Sequence, residues 1–96
     1  MEREFVHRML DAGFVCRKQP LSGAIEGHKG DIVLHDRFML ECKARKEGFK
    51  TLYKWIEKDQ ADGLILKANN EPFLVVLTMN AFIELNEGYA AWEEQP

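Results

Sequence analysis

The sequence predicts a single mixed α/β (α+β) domain: a central mixed β-sheet flanked by helices, in the order α-β-β-β-α-β with a C-terminal helix. Three observations predict it. The chain has 96 residues, 46% hydrophobic and 30% charged, enough for one core and little more. Apolar spacing switches between the helical period and short strand-like runs. Gly, Pro and Asn clusters fall between those runs rather than inside them.

Each element follows in order. Residues 2–12 carry Phe5, Val6, Met9 and Leu10 on one helical face, and Gly13 ends the helix. Residues 14–18 read as a short strand. Residues 19–30 hold Pro20, Gly23, Gly27 and Gly30, a loop composition. Residues 31–34 and 38–44 are two short strands around the polar turn His35-Asp36-Arg37. After a basic connection, Ala61, Leu64, Ile65 and Ala68 predict a second helix over 57–69, weakened by Gly63. Asn69-Asn70-Glu71-Pro72 breaks it. Residues 73–77 form an unbroken apolar run suited to a buried strand. Ala81, Phe82, Leu85, Tyr89 and Trp92 suit a last helix begun after Thr78 or Asn80, with an edge strand over 81–85 as the alternative.

Composition narrows the function classes. No apolar run approaches the roughly 18 residues of a membrane span, and Met1 leads directly into charge, so the expectation is an intracellular, cytoplasmic protein without a membrane partner. Cys16 and Cys42 lack zinc-ligand spacing and read as two reduced thiols. His7, His28 and His35 likewise lack metal-ligand spacing. The net charge is −3, but residues 1–54 hold 11 basic and 8 acidic side chains whereas residues 55–96 hold 2 and 8. A basic face is therefore compatible with an acidic total.

Chemistry concentrates in the hairpin. Folding residues 31–44 about Asp36 pairs Leu34 with Phe38, Val33 with Met39 and Ile32 with Leu40, which leaves Asp31 opposite Glu41. Facing side chains in an antiparallel pair lie about 4.5–5.5 Å apart at Cβ. Two carboxylates at that spacing repel unless a cation lies between them. Lys43 shares the face of Glu41 in an alternating strand, while Leu40, Cys42 and Ala44 take the other. Phosphodiester hydrolysis fits this set. Asp31 and Glu41 would hold Mg²⁺, with Mn²⁺ as a substitute, and the Cys42 backbone carbonyl could add a ligand. Lys43 would steady the attacking hydroxide or the charge developing on phosphorus. The alternative is an ordinary hairpin face on which Lys43 pairs with Glu41.

Asp31 with Glu41-Cys42-Lys43 is similar to the PD-(D/E)xK nuclease motif, with Gly30 where that superfamily often has Pro. The wider pattern resembles the archaeal-type Holliday junction resolvases and their viral members. Glu2-Arg3-Glu4 opens a helix ending at Gly13-Phe14; Pro20-Leu21-Ser22-Gly23 resembles their Pro-x-Ser-Gly loop. Glu41-Cys42-Lys43-Ala44-Arg45-Lys46 resembles their Glu-x-Lys-x-Arg-Lys segment, Lys58-Asp59-Gln60-Ala61-Asp62-Gly63 the start of their second helix, and Glu71-Pro72-Phe73-Leu74-Val75-Val76 their last core strand. It covers about residues 2–78, leaving 79–96 as an extension.

The resemblance implies a restriction-endonuclease-like core, a metal-dependent endonuclease resolving four-way DNA junctions by paired nicks, and a homodimer with twofold symmetry. It implies Glu2 as a third acidic group at the metal, Ser22 as a phosphate-positioning residue, and Gln60 as a residue holding Lys43 or a water. Helix spacing selects Glu2 over Glu4, because Glu2 aligns with Phe5, Val6 and Met9. The competing readings are a helix N-terminal charge for Glu2, turn chemistry for Ser22 and a surface helix residue for Gln60. A related flap, end or nick nuclease, and a non-catalytic DNA-binding module of the same fold, are the rival functions. Arg3, Arg17, Lys18, Lys29, Arg45, Lys46, Lys50 and Lys54 are the candidate contacts to branched double-stranded DNA. Phe49, Tyr53 and Trp55 beside them suit core packing, base stacking or a subunit contact.

Overall fold

The computed structural model describes residues 1–19 and 31–93, with side chains described as far as Tyr89. Ser22 and Lys29, with the rest of the Pro/Gly loop, lie outside the described residues. Contacts gather into two units, Met1–Ala44 and Arg45–Pro96. Among the described residues, three helices and two antiparallel sheets make an α+β protein.

In the first unit, α1 (Glu2–Asp11) precedes β1 (Cys16–Lys18), β2 (Ile32–Leu34) and β3 (Phe38–Leu40), paired in the order β1-β2-β3. Val6 and Met9 of α1 are buried, and the helix packs against β1. Leu10, expected on the same apolar face, is half exposed. The helix ends as Gly13 requires. Gly13 has φ +93°, its N–H donates to Leu10 O at 2.9 Å, and the Phe14 N–H donates to Met9 O at 3.0 Å. This paired closure is the Schellman motif, and the burial of both Met9 and Phe14 supplies its hydrophobic partner contact. Phe14, Cys16, Ile32, Val33 and Leu34 complete the core.

The β2–β3 hairpin has the expected register, Ile32 with Leu40, Val33 with Met39 and Leu34 with Phe38. His35 and Asp36 both adopt φ 55°, and the Arg37 N–H donates to Leu34 O at 3.1 Å. Such a turn matches the twist of the strands it joins, and both residue types tolerate the left-handed region better than most. β3 ends at Leu40, short of the expected 38–44. The reason is local: the Cys42 N–H donates to Asp31 Oδ2 at 2.9 Å, a side-chain partner where a ladder would supply a carbonyl.

The second unit runs α2 (Lys50–Asp59), β4 (Gly63–Leu66), β5 (Leu74–Leu77) and α3 (Met79–Glu93). The expected helix over 57–69 is corrected here. The helix lies earlier, with Leu52 and Ile56 half-buried one turn apart, and residues 63–66 are a strand. Leu64 pairs with Val76 and Ile65 with Val75, so cross-strand packing overrides a helical spacing that Gly63 already weakened. The described strands are all antiparallel, in two sheets, where one mixed sheet was expected. The run 73–77 is not a buried strand either. Phe73, Leu74 and Val75 are exposed, because β5 has one strand neighbour and only Val76 and Leu77 are half-buried.

Both strand connections follow sequence chemistry. Asn70 takes φ 62° in the β4–β5 turn. Thr78 caps α3, its Oγ1 accepting the Ala81 N–H at 3.2 Å. Within α3 the buried Asn86 donates Nδ2 to Phe82 O at 2.7 Å.

Two substitutions test these layers. Ile32 is wholly buried, so Ile32→Ala is expected to lower unfolding stability in urea by about 2–5 kcal/mol, while Ile65→Ala, at a site 75% exposed, changes it by under about 0.5. A Cβ at Gly63 would press on the Val76 carbonyl oxygen and lie 2.7 Å from Leu77 Cδ2. Gly63→Ala is therefore expected to cost about 1–3 kcal/mol and to lower the thermal midpoint.

Candidate functional site

The first unit gathers one chemically distinctive cluster. Glu2 opens α1, Asp31 directly precedes β2 and Cys42 follows β3, and the turn-back at Gly13 lays the helix over the sheet that carries the other two. One ligand atom from each of Glu2, Asp31 and Cys42 lies within 4.8 Å of the others. All three residues are half-buried.

Asp31 is held on three sides. Its N–H donates to Leu40 O at 2.8 Å, its carbonyl accepts the Gln19 N–H at 2.9 Å, and its carboxylate accepts the Cys42 N–H at 2.9 Å. Glu2 Oε2 lies 3.8 Å from Lys18 Nζ of β1, and the Glu2 side chain is less exposed than that of Glu4, 35% against 91%. The helical reading that chose Glu2 over Glu4 agrees with this placement.

Glu41 takes another direction. Its Oε1 lies 3.3 Å from Lys43 Nζ, and both side chains are at least half exposed. Glu41 and Lys43 thus share a side of the chain, as alternation predicts, and Cys42 takes the side of Asp31. The ladder ends at Leu40, so the face-to-face approach of Asp31 and Glu41 is not held by strand pairing. The ion pair is the contact anticipated as the alternative to metal binding, and at this exposure it is worth about 0–1 kcal/mol.

The Cys42 thiol was not foreseen in the cluster; only its backbone carbonyl was. Its pKa is raised, first by burial and then by the negative charges of Glu2, Asp31 and Glu41, against a lowering from the N-terminal amine. The Cys16 thiol is raised by burial foremost. Both thiols therefore favour the protonated form at neutral pH, and sulfur is a soft donor that hard ions such as Mg²⁺ do not favour. The donors fit a hard ion through Glu2 and Asp31 alone, since Mg²⁺ takes one or two carboxylates and keeps water for its remaining positions.

The remaining candidates fall in both units. Arg17 Nε lies 3.6 Å from Asp36 Oδ1, and Lys18 is held by Glu2. Arg3 is exposed on α1. In the second unit Arg45, Lys46, Lys50 and Lys54 are all exposed, and Lys50 Nζ lies 3.7 Å from Glu47 Oε1. Gln60 is exposed and closes α2 from the left-handed region, φ 50° and ψ 41°, with the Ala61 N–H donating to Ile56 O at 2.9 Å. A helix stop is thus its visible role, in a conformation that asks for Gly or Asn.

Comparison of the chain with protein-family models, curated proteins and solved structures finds no match.

The charge cluster has a direct chemical readout. Removing one carboxylate favours the thiolate and lowers the Cys42 pKa. Asp31→Asn, in a Cys16→Ala background that leaves one thiol, is expected to alkylate with iodoacetamide several-fold faster than its Asp31 parent at pH 8. The two rates should converge at a pH well above both thiol pKa values.

Proposed function

We propose that this protein is a divalent-metal-dependent endonuclease of branched DNA, acting on four-way junctions by paired nicks. The observation that carries the reading is the convergence of Glu2 and Asp31, far apart in sequence, on one half-buried spot beside Glu41-Cys42-Lys43. These are two of the three acidic positions that the resemblance to junction resolvases selects; the third, Glu41, pairs with Lys43. The order of helix and three-stranded antiparallel meander in the first unit also supports a restriction-endonuclease-like core.

Each residue has a task in this reading. Glu2 and Asp31 would hold the ion, and the Cys42 N–H fixes the Asp31 carboxylate in place. When bound, Mg²⁺ supplies Lewis-acid polarisation of a phosphoryl oxygen and a more acidic water. Lys43 would steady the charge that develops on the phosphate, and Glu41 orients that ammonium through the 3.3 Å contact. Lys18 keeps Glu2 turned toward the sheet. Symmetric cutting of two strands requires two such sites, so the reading includes a twofold homodimer.

The test is cleavage of a labelled four-way junction beside matched duplex, flap and single-stranded DNA. Wild type with Mg²⁺ is expected to give paired symmetric nicks in the junction only. Asp31→Asn, Glu2→Gln or EDTA should each reduce the rate at least a hundredfold. Equal cutting of flap or duplex would replace the resolvase by a general repair nuclease. No cutting with Mg²⁺ or Mn²⁺, with binding retained, would leave a non-catalytic DNA-binding module.

A further inference from the structure

We infer that the outer face of α2 is a docking track for the backbone of double-stranded nucleic acid, carried by Lys50, Lys54 and Lys58. The choice of DNA as the polyanion rests on the proposed nuclease reading; the track itself rests on the helix.

The segment that looked like a basic connection is a regular helix, and its lysines recur every fourth residue. Residues four apart stand above one another on a helix, so the three ammonium groups form one stripe. Leu52 and Ile56, the half-buried residues of α2, point the opposite way. At about 1.5 Å per residue the stripe is roughly 12 Å long, a row of cations about 6 Å apart. A duplex presents a similarly regular row, one phosphate per roughly 3.4 Å of axis on each strand. A lysine row along one phosphate strand positions a protein without reading bases.

Within the helix the stripe keeps an excess of positive charge, three lysines against Glu57 three residues after Lys54. Like charges four residues apart oppose helix formation. Lys50 sits at the positive end of the helix dipole, and the first turn holds no acidic residue. Glu47 lies 3.7 Å from Lys50, but among the described residues Lys54 and Lys58 form no ion pair. Glu57 stands at the flank of the stripe, and Asp59 falls on the side of Trp55. Tyr53, 72% exposed, flanks the row with a hydroxyl suited to a phosphate or sugar oxygen. A polyanion turns each of these repulsions into attraction, which neither a neutral ligand nor an isolated carboxylate does along the full row.

The experiment measures binding of a labelled junction and a labelled duplex by anisotropy across a KCl titration, with EDTA present so that nothing is cut. Wild type is compared with Lys50→Gln/Lys54→Gln/Lys58→Gln, with the single Lys54→Gln, and with Lys67→Gln, which lies off the helix. Helix content is followed by circular dichroism. At about 0.9 per phosphate contact, the triple variant should lose two to three units from the slope of log K against log salt, and Lys54→Gln about one. The wild-type advantage should accordingly shrink by roughly tenfold or more between 50 and 200 mM salt. Lys67→Gln should keep the wild-type slope.

An unchanged slope in a folded triple variant overturns the track while leaving the nuclease reading untouched. Stripe-dependent binding without cleavage in Mg²⁺ supports the track and removes the nuclease. Stripe-dependent binding to anionic vesicles or polyglutamate, with no binding to DNA, overturns the proposed occupant.

Discussion

The reversal of the chain at Gly13 is the constraint on which the candidate site depends, because Glu2 meets Asp31 only when α1 turns back over β1. A left-handed residue there lets the last helical carbonyls find donors in Gly13 and Phe14, and it aims Phe14 into the core beside Met9. A side chain other than glycine would strain that backbone even though the space beside it is open. The core in turn fixes the height of α1 on the sheet: Met9 and Ile32 are wholly buried and admit little sliding. The first helical turn is therefore delivered to the spot where Asp31 is already held by two backbone–backbone hydrogen bonds and by the Cys42 N–H on its carboxylate.

Much of the first unit was legible in the sequence because local signals agreed there. The register of the hairpin followed from a polar turn and matched apolar pairs, and Glu2 was distinguished from Glu4 by helical phase. The second unit was less legible because two periods overlap. Ala61, Leu64, Ile65 and Ala68 satisfy a helical spacing, yet Leu64 and Ile65 also find partners in Val76 and Val75, and only pairing with a distant segment decides between them. In the same way the stretch 50–59 looked like a connection because its lysines hid a modest apolar face. The cluster itself was read in part. Alternation placed Cys42 away from Glu41, but nothing in the sequence said that the ladder would stop at Leu40 and bring a thiol next to Asp31.

That thiol affects how the site handles charge. A protonated sulfur beside two carboxylates adds bulk without adding a negative charge, so it narrows the space near the carboxylates while leaving hard-ion chemistry to oxygen. The ion pair of Glu41 with Lys43 has a comparable economy, because the same contact that neutralises an exposed carboxylate also restrains a long, flexible ammonium. Charge is thus placed locally rather than by unit: Glu2 and Asp31 converge in the first, and Lys50, Lys54 and Lys58 share one face of α2 in a second unit whose acidic side chains outnumber its basic ones.

The β4–β5 ribbon has a consequence for how the chain folds safely. Phe73-Leu74-Val75-Val76-Leu77 is an uncharged apolar run on a ribbon with one strand neighbour, and its first three residues remain exposed after pairing. Such runs are the templates on which chains associate edge to edge when their partner strand is late. Gly63 permits the close approach that seats β4 against Leu77, so the speed of that zippering governs how long the run stays open to intermolecular pairing. The exposed Lys67 after β4 and Glu71 before Pro72 act as charged gatekeepers at the hairpin end, and Pro72 denies one backbone donor to an incoming strand. Solubility during synthesis is in this way written into a turn of a few residues that carries none of the candidate chemistry.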